Sequence, residues 1–193
     1  PADGMNVYAT SVSIMNTANA FQRLLKQRSA ETLEDAWGGY MDAGDWDRQA
    51  HHLVAARRHL ELLELFPDRL ANVKTNIPES SNKLPDILDE ALFNLECYRR
   101  LQTAEGGVRG GIEAAEHPVR GEPSWLESLP VMAYAPDIRS TYHYAAAAAQ
   151  AAFVLKQFDA ERAGEWAHSA ERAVEWAEPK FEEWKQQQTE RNS

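Results

Sequence analysis

Cysteine and long apolar runs are scarce in this sequence. Cys97 is the single cysteine among 193 residues, so neither an intramolecular disulfide nor a cysteine-based zinc site can form. Because Cys97 lies between Leu95 and Tyr98 in a helical pattern, we expect a buried, unreactive thiol. No apolar run approaches the roughly 20 residues that span a bilayer, so no membrane partner is expected. The cellular compartment stays open.

Basic residues are outnumbered by acidic ones. The chain has 20 Lys and Arg against 30 Asp and Glu, a formal net charge of -10. Such a chain repels a phosphate backbone unless its basic side chains gather on one face. The tightest basic pairs, Arg57-Arg58 and Arg99-Arg100, have acidic residues close by. Nucleic acid is therefore not expected as a partner.

No segment of useful length alternates polar and apolar residues with the period of a strand, and the dominant hydrophobic period is helical. An alanine-rich run, 145–149, favours close approach of one helix to another. The sequence therefore predicts an all-α fold, with residues 1–193 as one unit. The pattern predicts five helices, over about 7–26, from Asp45 or Asp47 to Phe66, and over about 85–106, 141–157 and 159–187. Two long connectors, about 68–83 and 104–139, separate these helices. Long ordered loops in helical domains usually take part in binding, so we expect the same of these connectors.

One segment carries two carboxylates three residues apart. It reads Gly38-Gly39-Tyr40-Met41-Asp42-Ala43-Gly44-Asp45-Trp46-Asp47. The small residues between Asp42 and Asp45 predict a tight turn entering a helix, where backbone N–H groups and the positive helix end keep a carboxylate ionised. An ionised carboxylate suits a general base, and its partner can hold the same water. Tyr40 and Trp46 offer flat apolar faces that suit sugar rings.

Other interpretations of this segment stay open on its residues alone. Asp-Ala-Gly-Asp is also typical of a turn with a helix N-cap. Aromatic residues beside a turn often pack into a core. The paired carboxylates also suit a cation such as calcium. We assign no calcium or other metal site, and we expect no cofactor.

A second segment separates these interpretations. It reads Asn76-Ile77-Pro78-Glu79-Ser80-Ser81-Asn82-Lys83-Leu84-Pro85-Asp86-Ile87-Leu88-Asp89-Glu90-Ala91. The two segments together resemble glycoside hydrolase family 9, mainly endoglucanases and cellodextrin-cleaving enzymes, with some members that act on amino-sugar oligomers. The resemblance extends to Gly106-Gly107-Val108 and to the alanine-rich helix, and covers roughly residues 37–158.

The resemblance implies roles for individual residues. Asp45 falls on the family's catalytic base, which activates water, and Asp42 on the supporting carboxylate. The implied fold is an (α/α)6 barrel, of which this chain would be roughly the N-terminal half. The implied reaction is hydrolysis of β-linked glucans such as cellulose with inversion, in which the base and a protonated acid stand roughly 6.5–9.5 Å apart.

The chain departs from the family pattern at several positions. After Asp45, cellulases of this family usually continue with an aromatic residue, a variable residue and Lys, whereas this chain has Trp46-Asp47-Arg48. We expect Asp47 to be either a first-turn helix acid or a residue that attracts the ammonium of glucosamine. An exo-acting glucosaminidase is therefore an alternative function.

Further candidates for substrate contact lie after the second segment. Arg109 stands where many relatives carry aromatic or His residues, and we expect it to contact substrate together with Tyr142 and His143. Glu113 and Glu116 receive no role. These candidates, with Tyr40 and Trp46, complete the predicted sugar-binding set.

The family's catalytic acid is a Glu in a domain about twice as long, and nothing after residue 158 resembles its motif. We therefore expect this chain to need the C-terminal half of the domain as a partner, and to be inactive alone. A non-catalytic carbohydrate-binding module on the same scaffold is a further alternative.

Overall fold

The computed structural model describes residues 1–13, 20–33, 35–42, 46–117, 119–123 and 128–191. Helices dominate these residues, and a small sheet accompanies them. The helices are α1 (Ala20–Lys26), α2 (Leu53–Leu65), α3 (Pro67–Leu70), α4 (Asp86–Arg100), α5 (Ile138–Leu155) and α6 (Ala160–Arg191). A 3-10 turn, Pro78–Ser81, precedes α4. The strands are β1 (Val7–Thr10), β2 (Arg28–Leu33), β3 (Trp46–Arg48), β4 (Gly111–Ala114) and β5 (Val131–Ala133).

Four of the five predicted helices are confirmed, with changed ends, as α2, α4, α5 and α6. The first predicted helix, 7–26, is wrong at its start, because Val7–Thr10 is a strand, and it is confirmed over α1 (Ala20–Lys26); residues 14–19 lie outside the described residues. The spacing of the apolar residues in this segment fits both the helical period and the strand period. Among the described residues, none of the helices is long and apolar enough to cross a membrane.

Helices α5 and α6 form the largest helical contact of the structure. The side chain of Asp137 caps α5 by accepting the N–H of Ser140 at 2.9 Å. Alanines along one side of α5 are buried, and Trp166 of α6 is fully buried beside them. The Tyr144 and Ser169 hydroxyls share a hydrogen bond of 2.7 Å across the interface. Small side chains thus let the two helices approach closely, as the alanine run predicted.

The prediction of an all-α chain needs correction, because five strands form one mixed sheet in the order β2-β1-β5-β4-β3. Strand β1 runs parallel to β5, and the other pairs are antiparallel. Most strands have only three or four residues, and β4 and β5 are buried along their whole length. Strands buried on both faces show no polar–apolar alternation, so the pattern of the sequence did not reveal them. Both β4 and β5 lie in the stretch 104–139 that we expected to be a connector.

Strand β3 packs tightly against β4, in a register that pairs Trp46 with Glu113 and Asp47 with Ile112. Gly111 opens β4 with φ 114, and a Cβ atom there would collide with the carbonyl oxygen of Asp47. Only glycine combines this backbone conformation with so close an approach. The register of β3, and therefore the direction of its side chains, depends on this glycine.

The chain turns sharply from β3 into α2. Gln49 and Ala50 have positive φ values of 60 and 52, a conformation that costs free energy in residues other than glycine. The N–H of Gln49 donates to the carbonyl of Gly110 at 2.7 Å and ties the turn to the start of β4. Residues 46–48 are therefore strand, and α2 begins at Leu53 rather than at Asp45 or Asp47.

Candidate active site

The segment that precedes the candidate carboxylates lies along α4. The N–H of Tyr40 donates to Asn94 Oδ1 at 3.2 Å, and Asn94 Nδ2 donates to the carbonyl of His52 at 2.8 Å. Gly39 has φ 77, and a Cβ atom there would lie 3.0 Å from the Sγ of Cys97. Asn94 thus connects the segment to the start of α2. Cys97 is buried, as expected, and burial raises the pKa of its thiol to about 11.

The backbones of Asp42 and Trp46 form an antiparallel bridge. The N–H of Asp42 donates to the carbonyl of Trp46 at 2.6 Å, and the N–H of Trp46 donates back at 3.3 Å. The Asp42 side chain is exposed. Residues 43–45, and with them Asp45, lie outside the described residues. The expected junction of loop and helix is corrected to a junction of loop and strand.

Trp46 and Arg48 lie on the same face of β3, next to the buried carboxylate of Glu113. Arg48 donates through Nε to Glu113 Oε2 at 2.7 Å and through Nη2 to Glu113 Oε1. The hydroxyl of Tyr134 also donates to Glu113. These hydrogen bonds raise the pKa of Arg48. Glu113 is completely buried, and the Arg48 guanidinium lies 4.9 Å from the centre of the Trp46 ring.

The other face of β3 points Asp47 into the protein. Asp47 is buried and accepts a hydrogen bond from the hydroxyl of Tyr98 on α4. Its Oδ1 lies 2.9 Å from Nδ1 of His52 and 3.4 Å from the backbone nitrogen of the same residue. Asp47 therefore ties β3 to α2 and α4. The expectations of a first-turn helix acid and of a contact to glucosamine are both wrong for this residue.

Tyr40 and Arg109 direct their polar groups towards the fold. The Tyr40 hydroxyl donates to the carbonyl and the carboxylate of Glu90, and burial together with this contact raises its pKa. Arg109 Nη1 donates to the carbonyl of Tyr134 at 3.2 Å and more weakly to that of Thr10 at 3.5 Å. Burial lowers the pKa of Arg109. Their contact with a sugar stays a prediction.

Tyr142 and His143 lie in the first half of α5 and point to different neighbours. The Tyr142 ring meets Phe181 of α6 edge-on, with 6.0 Å between ring centres. The backbone of Gln49, in the turn after β3, is near enough to His143 to act on its pKa. Burial of part of the imidazole, with the charge of Arg139, lowers the pKa of His143. The structure thus brings His143 to the turn after β3, whereas the ring of Tyr142 packs on α6.

Comparisons with known proteins decide the family. No family model matches the chain. The chain is 30% identical over 144 residues to endoglucanase C of Cellulomonas fimi, covering 67% of this chain and 13% of the relative. It is 37% identical over 84 residues to a xyloglucan-specific endo-β-1,4-glucanase of Bacteroides ovatus, covering 42% of this chain and 14% of the relative. A metagenome-derived glycoside hydrolase family 9 endoglucanase of known structure superposes with a TM-score of 0.71 at 29% identity, over 89% of this chain and 30% of the other. The chain belongs to glycoside hydrolase family 9.

A second family 9 structure, from Bacteroides ovatus, superposes over 92% of this chain and 31% of the other with a TM-score of 0.74 at 21% identity. The chain thus spans less than a third of these solved family 9 chains, and about one seventh of the curated relatives. The structural neighbours are (α/α)6 barrels. The predicted family is confirmed, and the neighbours have the expected barrel fold, whereas the sheet of this chain was not predicted.

Two departures from the usual family 9 pattern, Asp47 and Arg48, have partners that the sequence did not indicate. Glu113 received no role, yet it pairs with Arg48, which stands where many family 9 cellulases carry Lys. His52 was expected at most to face the cleft, and Tyr98 received no role, yet both contact Asp47, the unusual acid next to Arg48. The departures themselves were the available signal, because an additional charge inside a fold requires a partner.

The pair of Asp47 and His52 makes a prediction about pH. The Asp47 carboxylate, 2.9 Å from Nδ1, raises the pKa of His52, with Asp42 adding to the effect and burial opposing it. A His whose folded pKa is raised contributes stability below its unfolded pKa of about 6.5, and this contribution is lost as pH rises through the folded pKa. His52→Asn keeps a neutral donor near Nδ1. We expect it to lower the melting temperature more at about pH 5.5 than at about pH 8.5.

Melting curves of the wild type and the variant at both pH values measure this difference. His168→Asn, at an exposed position of α6, is the matched control and should show little difference at either pH. A loss from His52→Asn that is equal at both pH values would contradict the charged pair.

Proposed function

We propose that this chain forms part of the catalytic domain of an inverting glycoside hydrolase that cleaves β-linked glucans. One observation carries the proposal: the exposed carboxylate of Asp42 stands at the end of a short stretch that its backbone pairing with Trp46 closes. Relatives support the substrate class. Their names include an endo-β-1,4-glucanase specific for xyloglucan and a cellulose 1,4-β-cellobiosidase of Acetivibrio thermocellus, and both names specify a β-1,4 linkage.

Asp45 is the proposed base, and Asp42 positions the water or Asp45 itself. The Asp45 carboxylate removes a proton from water as the water attacks the anomeric carbon from the face opposite the leaving group. A protonated carboxylic acid on the other side gives its proton to the departing oxygen, so one attack inverts the anomeric centre. We assign this acid to a part of the whole protein outside these 193 residues, since none of the acids in the chain matches its motif.

Trp46 is the proposed sugar platform nearest to the base. Arg48 lies over one face of its ring, so a sugar would stack on the other face or along the edge. The indole is only partly buried and directly follows Asp45 in the chain. His143, beside the turn after β3, is the proposed donor to sugar hydroxyls. The burial of Asp47 removes the residue on which the amino-sugar alternative depended.

The stereochemistry of the product tests this proposal. The whole protein is incubated with β-1,4-linked gluco-oligosaccharides, and proton NMR follows the anomeric signals of the first products. Inversion predicts the α-anomer before mutarotation, with no cleavage of α-1,4-linked oligosaccharides of equal length. The β-anomer as first product would contradict inversion. Binding of the oligosaccharide without hydrolysis would favour a non-catalytic binding module instead.

A further inference from the structure

The buried carboxylate of Glu113 lies behind the candidate site and is connected to it by an unbroken series of contacts. We propose that Glu113 is a positioning residue: through Arg48 it fixes the ring of Trp46, and thereby the end of the stretch that carries Asp42 and Asp45. The effect on catalysis rests on the function proposed above, whereas the effect on local structure does not. Glu113 itself is too deeply buried to touch substrate.

The first step of the argument concerns charge. Glu113 has no exposed surface, and a buried carboxylate is costly unless charged and hydrogen-bonding partners compensate it. Its partners are two nitrogens of Arg48 and the hydroxyl of Tyr134. A two-point pairing of guanidinium with carboxylate fixes the plane of the guanidinium as well as its place. A Lys at position 48 would carry a point charge and no planar group, so it could not be oriented in this way.

The second step concerns Trp46. Side chains alternate along a strand, so Trp46 and Arg48 share the face of β3 that lies above Glu113. In the register of the sheet, Trp46 is the direct cross-strand partner of Glu113. The oriented guanidinium lies 4.9 Å from the centre of the indole ring, within range of a cation–π interaction. The guanidinium thereby holds one face of the indole ring, and the side chain stays partly accessible.

The third step leads from Trp46 to the carboxylates. The two backbone hydrogen bonds between Trp46 and Asp42 define both ends of the stretch 43–45. Asp45 directly precedes Trp46 in the chain, so a rotation of Trp46 displaces its neighbour. A displacement of about 1 Å in a reacting group can cost about 100-fold in rate. Glu113 therefore acts on the site through Arg48 and Trp46, in that order.

Glu113→Gln in the whole protein tests this inference, with hydrogen exchange as the first measurement. The Gln amide presents a donor to Arg48, and Arg48, with 23% of its side chain already exposed, can turn to solvent without unfolding the protein. We expect amide exchange in a peptide spanning 40–48 to accelerate by at least about tenfold. Glu116→Gln, at an exposed position three residues further on, is the matched control and should leave exchange unchanged.

Tyr134→Phe separates positioning from general weakening of the core. It removes one hydrogen bond to the same carboxylate and leaves the pair with Arg48 in place. We expect it to lower the melting temperature while exchange over 40–48 stays within about threefold of the wild type. Equal acceleration by Tyr134→Phe and Glu113→Gln would overturn the inference, as would unchanged exchange in Glu113→Gln.

Kinetics complete the test. We expect Glu113→Gln to lower kcat by about 10- to 100-fold and also to raise KM severalfold, because the loosened ring of Trp46 is the proposed sugar platform. The double variant Arg48→Met, Glu113→Gln should lower kcat no more than Arg48→Met alone, because Glu113 acts on the site through Arg48. Additive losses in the double variant would overturn that path. A wild-type protein without glycosidase activity would refute the proposed function, and the exchange result would still decide whether Glu113 positions Trp46.

Discussion

Replacing Asp45 with Asn in the whole protein is expected to lower kcat by about 100- to 10,000-fold, the range that a general base contributes. Asn keeps the size of the side chain and one acceptor oxygen, but it cannot take a proton from water. Affinity for β-1,4-linked oligosaccharides should change by less than about threefold, because the base meets the attacking water and not the bound sugar. Steady-state kinetics and calorimetric titration with an uncleaved oligosaccharide measure the two quantities separately.

Asp68→Asn is the matched control for this variant. Asp68 is an exposed acid in the first turn of α3, so its loss removes one negative charge from the surface and should leave kcat within about twofold. Asp42→Asn should show an intermediate loss, since Asp42 supports the base rather than acting as one. If Asp45→Asn kept more than about a tenth of the wild-type kcat, Asp45 would not be the base.

The helices of this fold were predictable because their signals are long and repeated. The alanine run of α5 is one such signal, and the acidic first turn of α4 after Pro85 is another; both helices are present. The strands gave no comparable signal. Strand β5 has three residues, all buried, and it is held by partners from distant parts of the chain. Such pairing follows from tertiary contacts and not from local period.

The candidate site was predictable where chemistry depends on residue type and spacing. Two carboxylates between glycines and aromatic residues indicated Asp42 and Asp45 as the acidic pair, and the roles of both stay predictions. The supporting contacts were not predictable, because they join residues far apart in sequence, such as Asp47 with Tyr98 and Arg48 with Glu113. Residues 46–48 form a strand and not a helix, and side chains alternate between the two faces of a strand. The Asp47 side chain is therefore buried, whereas the sequence predicted an acid at the surface.

The inward direction of Asp47 leads to a second large effect, on stability. Asp47→Ala is expected to lower the free energy of unfolding by about 3 kcal/mol. The substitution leaves the buried Tyr98 hydroxyl without its acceptor and removes the partner of His52. It also leaves a void between β3, α2 and α4. Chemical denaturation at about pH 6, where the pair with His52 contributes, measures the loss.

Asp47→Asn distinguishes the charge of this residue from its shape. The amide oxygen can still accept from Tyr98, and the amide nitrogen can donate to a neutral His52 but not to a charged one. The loss should therefore be about half that of Asp47→Ala near pH 6 and smaller still near pH 8. The control Asp68→Ala removes an equal charge from the surface and should stay within about 0.5 kcal/mol of the wild type. Asp47→Ala within the same limit would mean that Asp47 does not hold β3 to the helices. An Asn variant that is less stable at pH 8 than at pH 6, relative to wild type, would exclude the charged form of His52 as its partner.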